Sequence, residues 1–151
     1  MVDSRAKGAR AETVVRDTLK KYTGLAFERT PSSGALDARH GLKGDIYVPK
    51  EKNLYTIEVK HYEGDHVSSK VLTDSNPQLI KFWEQAVREA SENNNKPLLI
   101  FKFDRSKLFV AFNDTIPNEQ YKYLFISVNN HTFYISLLED WLYHHNPKFI
   151  V

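Results

Sequence analysis

Asp45 opens the stretch GDIYVPKEKNLYTIEVK, and Glu58 and Lys60 close it. Most residues between them favour β-structure. Strand side chains alternate between faces. Leu54, Thr56, Glu58 and Lys60 therefore share one face, and Tyr55, Ile57 and Val59 point the other way, toward a core. A polar turn centred near Glu51 folds the chain back and sets Asp45 across from residue 57 or 58. Two carboxylates and one ammonium then meet. Adjacent carboxylates repel, and one pKa rises unless a cation intervenes. Mg²⁺ answers that need, because it takes oxygen ligands from one or two carboxylates, water and substrate phosphate. A lysine alongside can hold or help deprotonate a water, or stabilise charge on a phosphate. These are the groups that metal-assisted phosphodiester hydrolysis requires. The same E-x-K pattern also fits an exposed ion pair on a wet strand face.

The elements that must position these groups follow from periodicity. Ser4 to Tyr22 reads as a helix capped by Asp3 or Ser4 and ended by Gly24. Glu12 shares a stripe with Gly8, Val15 and Leu19, which aims it at the sheet, where a buried acid needs a partner. Strands are expected at Leu25–Thr30, Ile46–Val48 and Leu54–Lys60, with a Pro/Gly/Ser-rich loop between the first two. Pro77 begins a helix that runs to about Glu92, with Leu79, Phe82, Trp83, Ala86, Val87 and Ala90 inward. Leu98–Phe103 is nearly all apolar, as a buried central strand should be. Strands at Leu108–Phe112, Tyr121–Val128 and Thr132–Ile135 and a helix at Leu137–His145 complete the chain. The expectation is one α/β domain spanning residues 1–151.

Composition narrows the setting. The chain has no cysteine, so it has neither a disulfide framework nor a Cys-ligated zinc site. It has no apolar run long enough to span a membrane and no signal-peptide core near its start, which implies a cytoplasmic protein. The net charge of +2 conceals a basic surplus confined to residues 1–30, a surface suited to a polyanion or simply to water. No histidine pair has the i, i+4 spacing of a zinc helix. The aromatic tail WLYHHNPKFIV suits either a dimer contact or packing on its own domain.

Four motifs occur in one order: RAKGARAE (Arg5–Glu12), FERTPSSG (Phe27–Gly34), GDI (Gly44–Ile46) and IEVK (Ile57–Lys60). This order resembles the archaeal-type Holliday junction resolvases of the PD-(D/E)XK nuclease superfamily, over roughly residues 4–103. The resemblance implies a restriction-endonuclease-like fold, a mixed central sheet flanked by helices, working as a homodimer. It implies that Asp45, Glu58 and the Val59 carbonyl hold Mg²⁺, with Mn²⁺ able to substitute. Glu12 would join the ion directly or through water, and Lys60 would activate the attacking water. Ser32 or Ser33 would touch phosphate near the scissile bond. Lys7, Arg10, Arg29 and Lys70 would contact DNA, and Gln78 would stand beside the site. Two departures are Gly44, where the motif usually has proline, and Thr13, where archaeal relatives carry a basic residue.

The function this implies is nicking of four-way DNA junctions in symmetric pairs, in recombination or repair, within the host cytoplasm if the chain is phage-encoded. Two alternatives remain. One is another PD-(D/E)XK endonuclease, acting on branched or damaged DNA, or of phage or restriction type. The other is a nuclease-like fold that only binds nucleic acid.

Overall fold

The computed structural model of the chain describes residues 4–31, 44–65 and 67–151, with residues 4 and 5 by backbone alone. Ser32, Ser33, His40 and His66 lie outside the described residues. The elements are α1 (Ser4–Thr23), β1 (Glu28–Arg29), β2 (Ile46–Tyr47), β3 (Tyr55–Tyr62), α2 (Lys70–Thr73), α3 (Gln78–Glu92), β4 (Lys96–Phe103), β5 (Phe109–Phe112), β6 (Leu124–Val128), β7 (His131–Leu137) and α4 (Leu138–Asp140). Helix α4 continues as a π-helical turn over Trp141–His145.

The strands form one sheet in the order β1-β2-β3-β4-β5-β7-β6. β3 and β4 run parallel, and the other neighbours are antiparallel. Parallel neighbours cannot be joined by a hairpin, so the chain must cross over between them. Helices α2 and α3 make that crossover, and α3 covers one face of the sheet. There Leu79, Ile80, Trp83 and Ala86 pack on Leu99, Phe101, Ala111 and Phe133. On the opposite face Val15 and Leu19 of α1 and Trp141 of the C-terminal turn pack on Ile57, Ile100 and Phe112. Each fully buried Leu, Ile, Val or Phe among them contributes roughly 2 kcal/mol.

Two layers of helix change one expectation. Sequence alternation gave β3 a single core face. Both of its faces are buried, and Thr56 (1% exposed) and Glu58 (4%) are as hidden as Tyr55 and Ile57. The cause is the crossover, which places a helix over the face that carries Glu58. Thr56 is satisfied there by the side-chain amides of Asn93 and Asn95.

The C-terminal tail packs on its own sheet. Phe149 is buried against Phe27, Tyr55 and Trp141. Its carbonyl accepts the Leu54 N–H at 2.8 Å, and Ile150 bridges to Asn53. His145 is structural: its ring stacks on Trp141 and meets the Tyr121 hydroxyl at 2.8 Å.

Gly44 sets the entry to β2. It has φ +84°, and a Cβ there would lie 2.7 Å from the Ile57 carbonyl oxygen and 2.9 Å from the Ile57 nitrogen. Proline cannot take this conformation, because its ring fixes φ near about −65°. The turn before Asp45 is thus built differently from the proline-led form of the motif. Gly44→Ala should destabilise the chain by roughly 1–3 kcal/mol from backbone strain alone. Urea unfolding would show this as a lower midpoint, and an unchanged midpoint would mean that the close approach to β3 is not required.

Candidate active site

Asp45 is fixed by its backbone before its side chain does anything. Its N–H donates to the Ile57 carbonyl at 2.7 Å, and its own carbonyl accepts the Thr30 N–H at 2.9 Å. Ile46 pairs with Ile57, so the antiparallel register continues to Asp45 opposite Glu58. The Asp45 carboxylate then accepts the Val59 N–H at 2.8 Å through Oδ2. Burial raises the Asp45 pKa above the ordinary aspartate range, and the Val59 N–H opposes that shift. Glu12 and Glu89 push it further up, and Lys60 pulls it down.

Glu58 is more constrained. Burial raises its pKa well above the usual glutamate range, reinforced by a hydrogen bond with the Glu89 carboxyl and by the charges of Asp45 and Glu89. Lys60 opposes this. Gln85 donates through Nε2 to Glu58 Oε2 at 3.5 Å and to Glu89 Oε1 at 3.3 Å. Lys60, next on the same face, is held with its ammonium 5.0 Å from the Phe82 ring centroid. On the α1 side Glu12 pairs with Arg29 at 3.3 Å, its side chain 23% exposed.

Fully ionised, Glu12, Asp45, Glu58 and Glu89 carry four negative charges, against which the described residues set Lys60 and Arg29, an excess of two. Glu89 Oε2 is buried with no hydrogen-bond donor facing it. A buried, uncompensated acidic group is costly, and an all-oxygen donor set suits a hard divalent cation. Among the described residues no three acidic or histidine side chains form a ready cage. The donors therefore fit Mg²⁺, which keeps several waters, better than an ion that needs a full protein shell.

The chain matches, over residues 3–149, the family described as "Phage putative PDDEXK endonuclease". It belongs to that family. Protein D14 of Escherichia phage T5 is 41% identical over 150 residues, which cover 95% of this chain and 94% of that one. The chain is also similar to the solved structure of Hjc, "a Holliday junction resolvase from an archaeal hyperthermophile", Archaeoglobus fulgidus. That match has a TM-score of 0.42 and 16% identity, over 87% of this chain and 84% of the other. The mixed sheet of this PD-(D/E)XK endonuclease, with helices on both faces, is restriction-endonuclease-like.

Glu12, Asp45, Glu58 and Lys60 come together at the β2–β3 hairpin. Lys7 pairs with Asp104 at 3.0 Å, and Asp104 also holds His61 at 2.8 Å. Arg29 is tied to Glu12. Arg10 remains exposed on α1, and Lys70 is exposed at the start of α2. Arg10 also lines a cleft of about 670 Å³ with Lys7, Lys102, Asp104, Glu139 and Asp140, and none of Glu12, Asp45, Glu58 and Lys60 lines it.

Gln85, not Gln78, is the glutamine that reaches Glu58. Helix α3 runs antiparallel to β3: Asn93 meets Thr56, Gln85 meets Glu58, and Phe82 meets Lys60 and Tyr62. Gln78 is seven residues earlier, about 10 Å along the axis and past the end of the site. Local sequence pattern does not single out Gln85 and Glu89. The available signal was their alignment: Gln78, Phe82, Gln85 and Glu89 follow one flank of the helix at spacings of three and four.

The raised Glu58 pKa has a consequence for stability. The folded metal-free chain binds a proton at Glu58 that the unfolded chain releases. That contribution is full below the ordinary value of 4.5 and is lost progressively as pH rises toward about 10. Glutamine at this position has no proton to lose. In EDTA, Glu58→Gln should therefore stabilise the protein by about 2 kcal/mol, roughly 4–8 °C in melting temperature, at about pH 8. The gain should shrink toward about pH 5. A melting temperature lowered equally at both pH values would contradict the crowding of carboxylates.

Proposed function

We propose that this PD-(D/E)XK endonuclease cuts four-way DNA junctions by Mg²⁺-dependent phosphodiester hydrolysis, working as a homodimer on DNA undergoing recombination or repair in the host cytoplasm. The observation that carries the hydrolytic reading is the Asp45 carboxylate, bonded to the Val59 N–H and in register with Glu58, two residues before Lys60 on the same face. Asp45, Glu58 and the Val59 carbonyl are the groups that would hold Mg²⁺, or Mn²⁺ in its place, with Glu12 reaching it directly or through water. When bound, such an ion neutralises the carboxylates and polarises the scissile phosphate.

The chain's own residues would do the rest. Lys60 Nζ, steadied by Phe82, hydrogen-bonds the attacking water and a phosphate oxygen. Water adds to phosphorus, and the P–O3′ bond breaks to leave a 3′-hydroxyl and a 5′-phosphate. Arg29 holds Glu12 in place. Arg10, Lys70 and either Ser32 or Ser33 would contact DNA phosphates, which fix position rather than read sequence. Junction choice would then follow from DNA shape. Two symmetric nicks need two sites at fixed separation, which a two-fold dimer supplies. The junction substrate is supported by the ordered motifs from Arg5 to Lys60.

Purified protein given a synthetic four-way junction and a matched linear duplex should nick the junction in symmetric pairs with Mg²⁺ and not with EDTA. Lys60→Ala should slow this by roughly 10²–10⁴-fold, and Glu58→Ala should abolish metal-dependent cutting. Equal cutting of junction, flap and duplex would replace junction selectivity with a broader branched-DNA or general phage nuclease. Binding without cutting under any metal would remove the hydrolytic reading.

A further inference from the structure

Helix α3 contributes two polar side chains to a site that the motifs draw only from the hairpin and α1. Gln85 and Glu89 are one helical turn apart, so both reach the same strand residue. The Gln85 amide nitrogen has two hydrogens and faces one carboxylate oxygen with each: Glu58 Oε2 at 3.5 Å and Glu89 Oε1 at 3.3 Å. Helix α3 cannot slide along β3, because the Asn93 amide meets the Thr56 hydroxyl on one side of this pair and the Phe82 ring covers Lys60 on the other. The Glu58 carboxylate is thereby held in one orientation, on a side chain only 4% exposed. The free oxygen of Glu89, Oε2, is buried without a donor. With both acids ionised, nothing among the described residues offers it a hydrogen.

We infer that Gln85 and Glu89 are positioning residues that aim Glu58 at the divalent ion, with Glu89 supplying part of the negative charge the ion neutralises. The inference rests on the metal-site reading above. It differs from a purely structural role in the direction of its effects. If Glu89 only supported the fold, its loss would weaken the metal-free protein and leave metal affinity alone. If it serves the ion, removing its charge weakens metal binding. Partners of this kind, acting through a metal ligand, typically account for 10–100-fold in affinity.

The test is calorimetric titration of the metal-free full chain with Mn²⁺, together with melting temperatures in EDTA. Glu89→Gln should bind Mn²⁺ about 10–100-fold more weakly than wild type, while its melting temperature in EDTA shows that the fold is intact. Gln85→Ala should also weaken Mn²⁺ binding, which keeps the test open if Glu89→Gln does not fold. Glu84→Gln removes a charge from the same helix where it faces His131 instead of the site, and it should bind Mn²⁺ as wild type does. Unchanged affinity in both Glu89→Gln and Gln85→Ala would overturn the inference, as would equal weakening in Glu84→Gln. A wild-type protein that binds no Mn²⁺ would overturn the metal-site reading itself, and the inference with it.

Discussion

The site depends on one hydrogen bond, from the Val59 N–H to the Asp45 carboxylate, and on the register that permits it. Backbone contacts on two sides bring Asp45 there: the Ile57 carbonyl from β3 and the Thr30 N–H from the segment after β1. Gly44 is the hinge, since any side chain there would strike the Ile57 backbone. Once Asp45 is set down, Glu58 lies opposite it and Lys60 follows on the same face. A shift of one residue would send Glu58 to the α1 face and part the pair.

Burial turns this proximity into function. The parallel pairing of β3 and β4 demands a crossover, and the crossover helix seals Glu58 away from water. In water the two carboxylates would tolerate each other at little cost. Under α3 they cannot, and Glu89 adds to the crowding. The fold therefore holds crowded carboxylates whose ionised forms a divalent ion would neutralise. Stability and catalysis conflict at this point, as they do at many active sites. The two hydrophobic layers, with Trp83 and Phe133 on one face and Phe27, Trp141 and Phe149 on the other, supply the stability that tolerates it.

Much of this was legible in the residues. Alternation along TIEVK places Glu58 and Lys60 together, and the short polar turn brings Asp45 across to Glu58. The position of Glu12 on the α1 stripe follows from helical spacing. What could not be read depends on non-local pairing. Nothing near Glu58 in sequence says that its face is covered, because the covering helix is fixed by the partner strand β4. Gln85 replaces Gln78 because the axial setting of α3 is decided by the contacts of Asn93 and Phe82 with β3. Lys7 faces Asp104 because the β4–β5 turn reaches α1, a contact no local pattern reveals. The tail, open to two readings in sequence, is settled by the pocket Phe149 fills.

On the proposed reading, the buried carboxylates of Asp45 and Glu58 would seat a divalent ion. Anomalous diffraction from crystals soaked in Mn²⁺ tests it most directly. The account predicts an anomalous peak between the two carboxylates and within coordination distance of the Val59 carbonyl. A peak elsewhere in the chain, or none at the hairpin while the crystals still diffract, would contradict it.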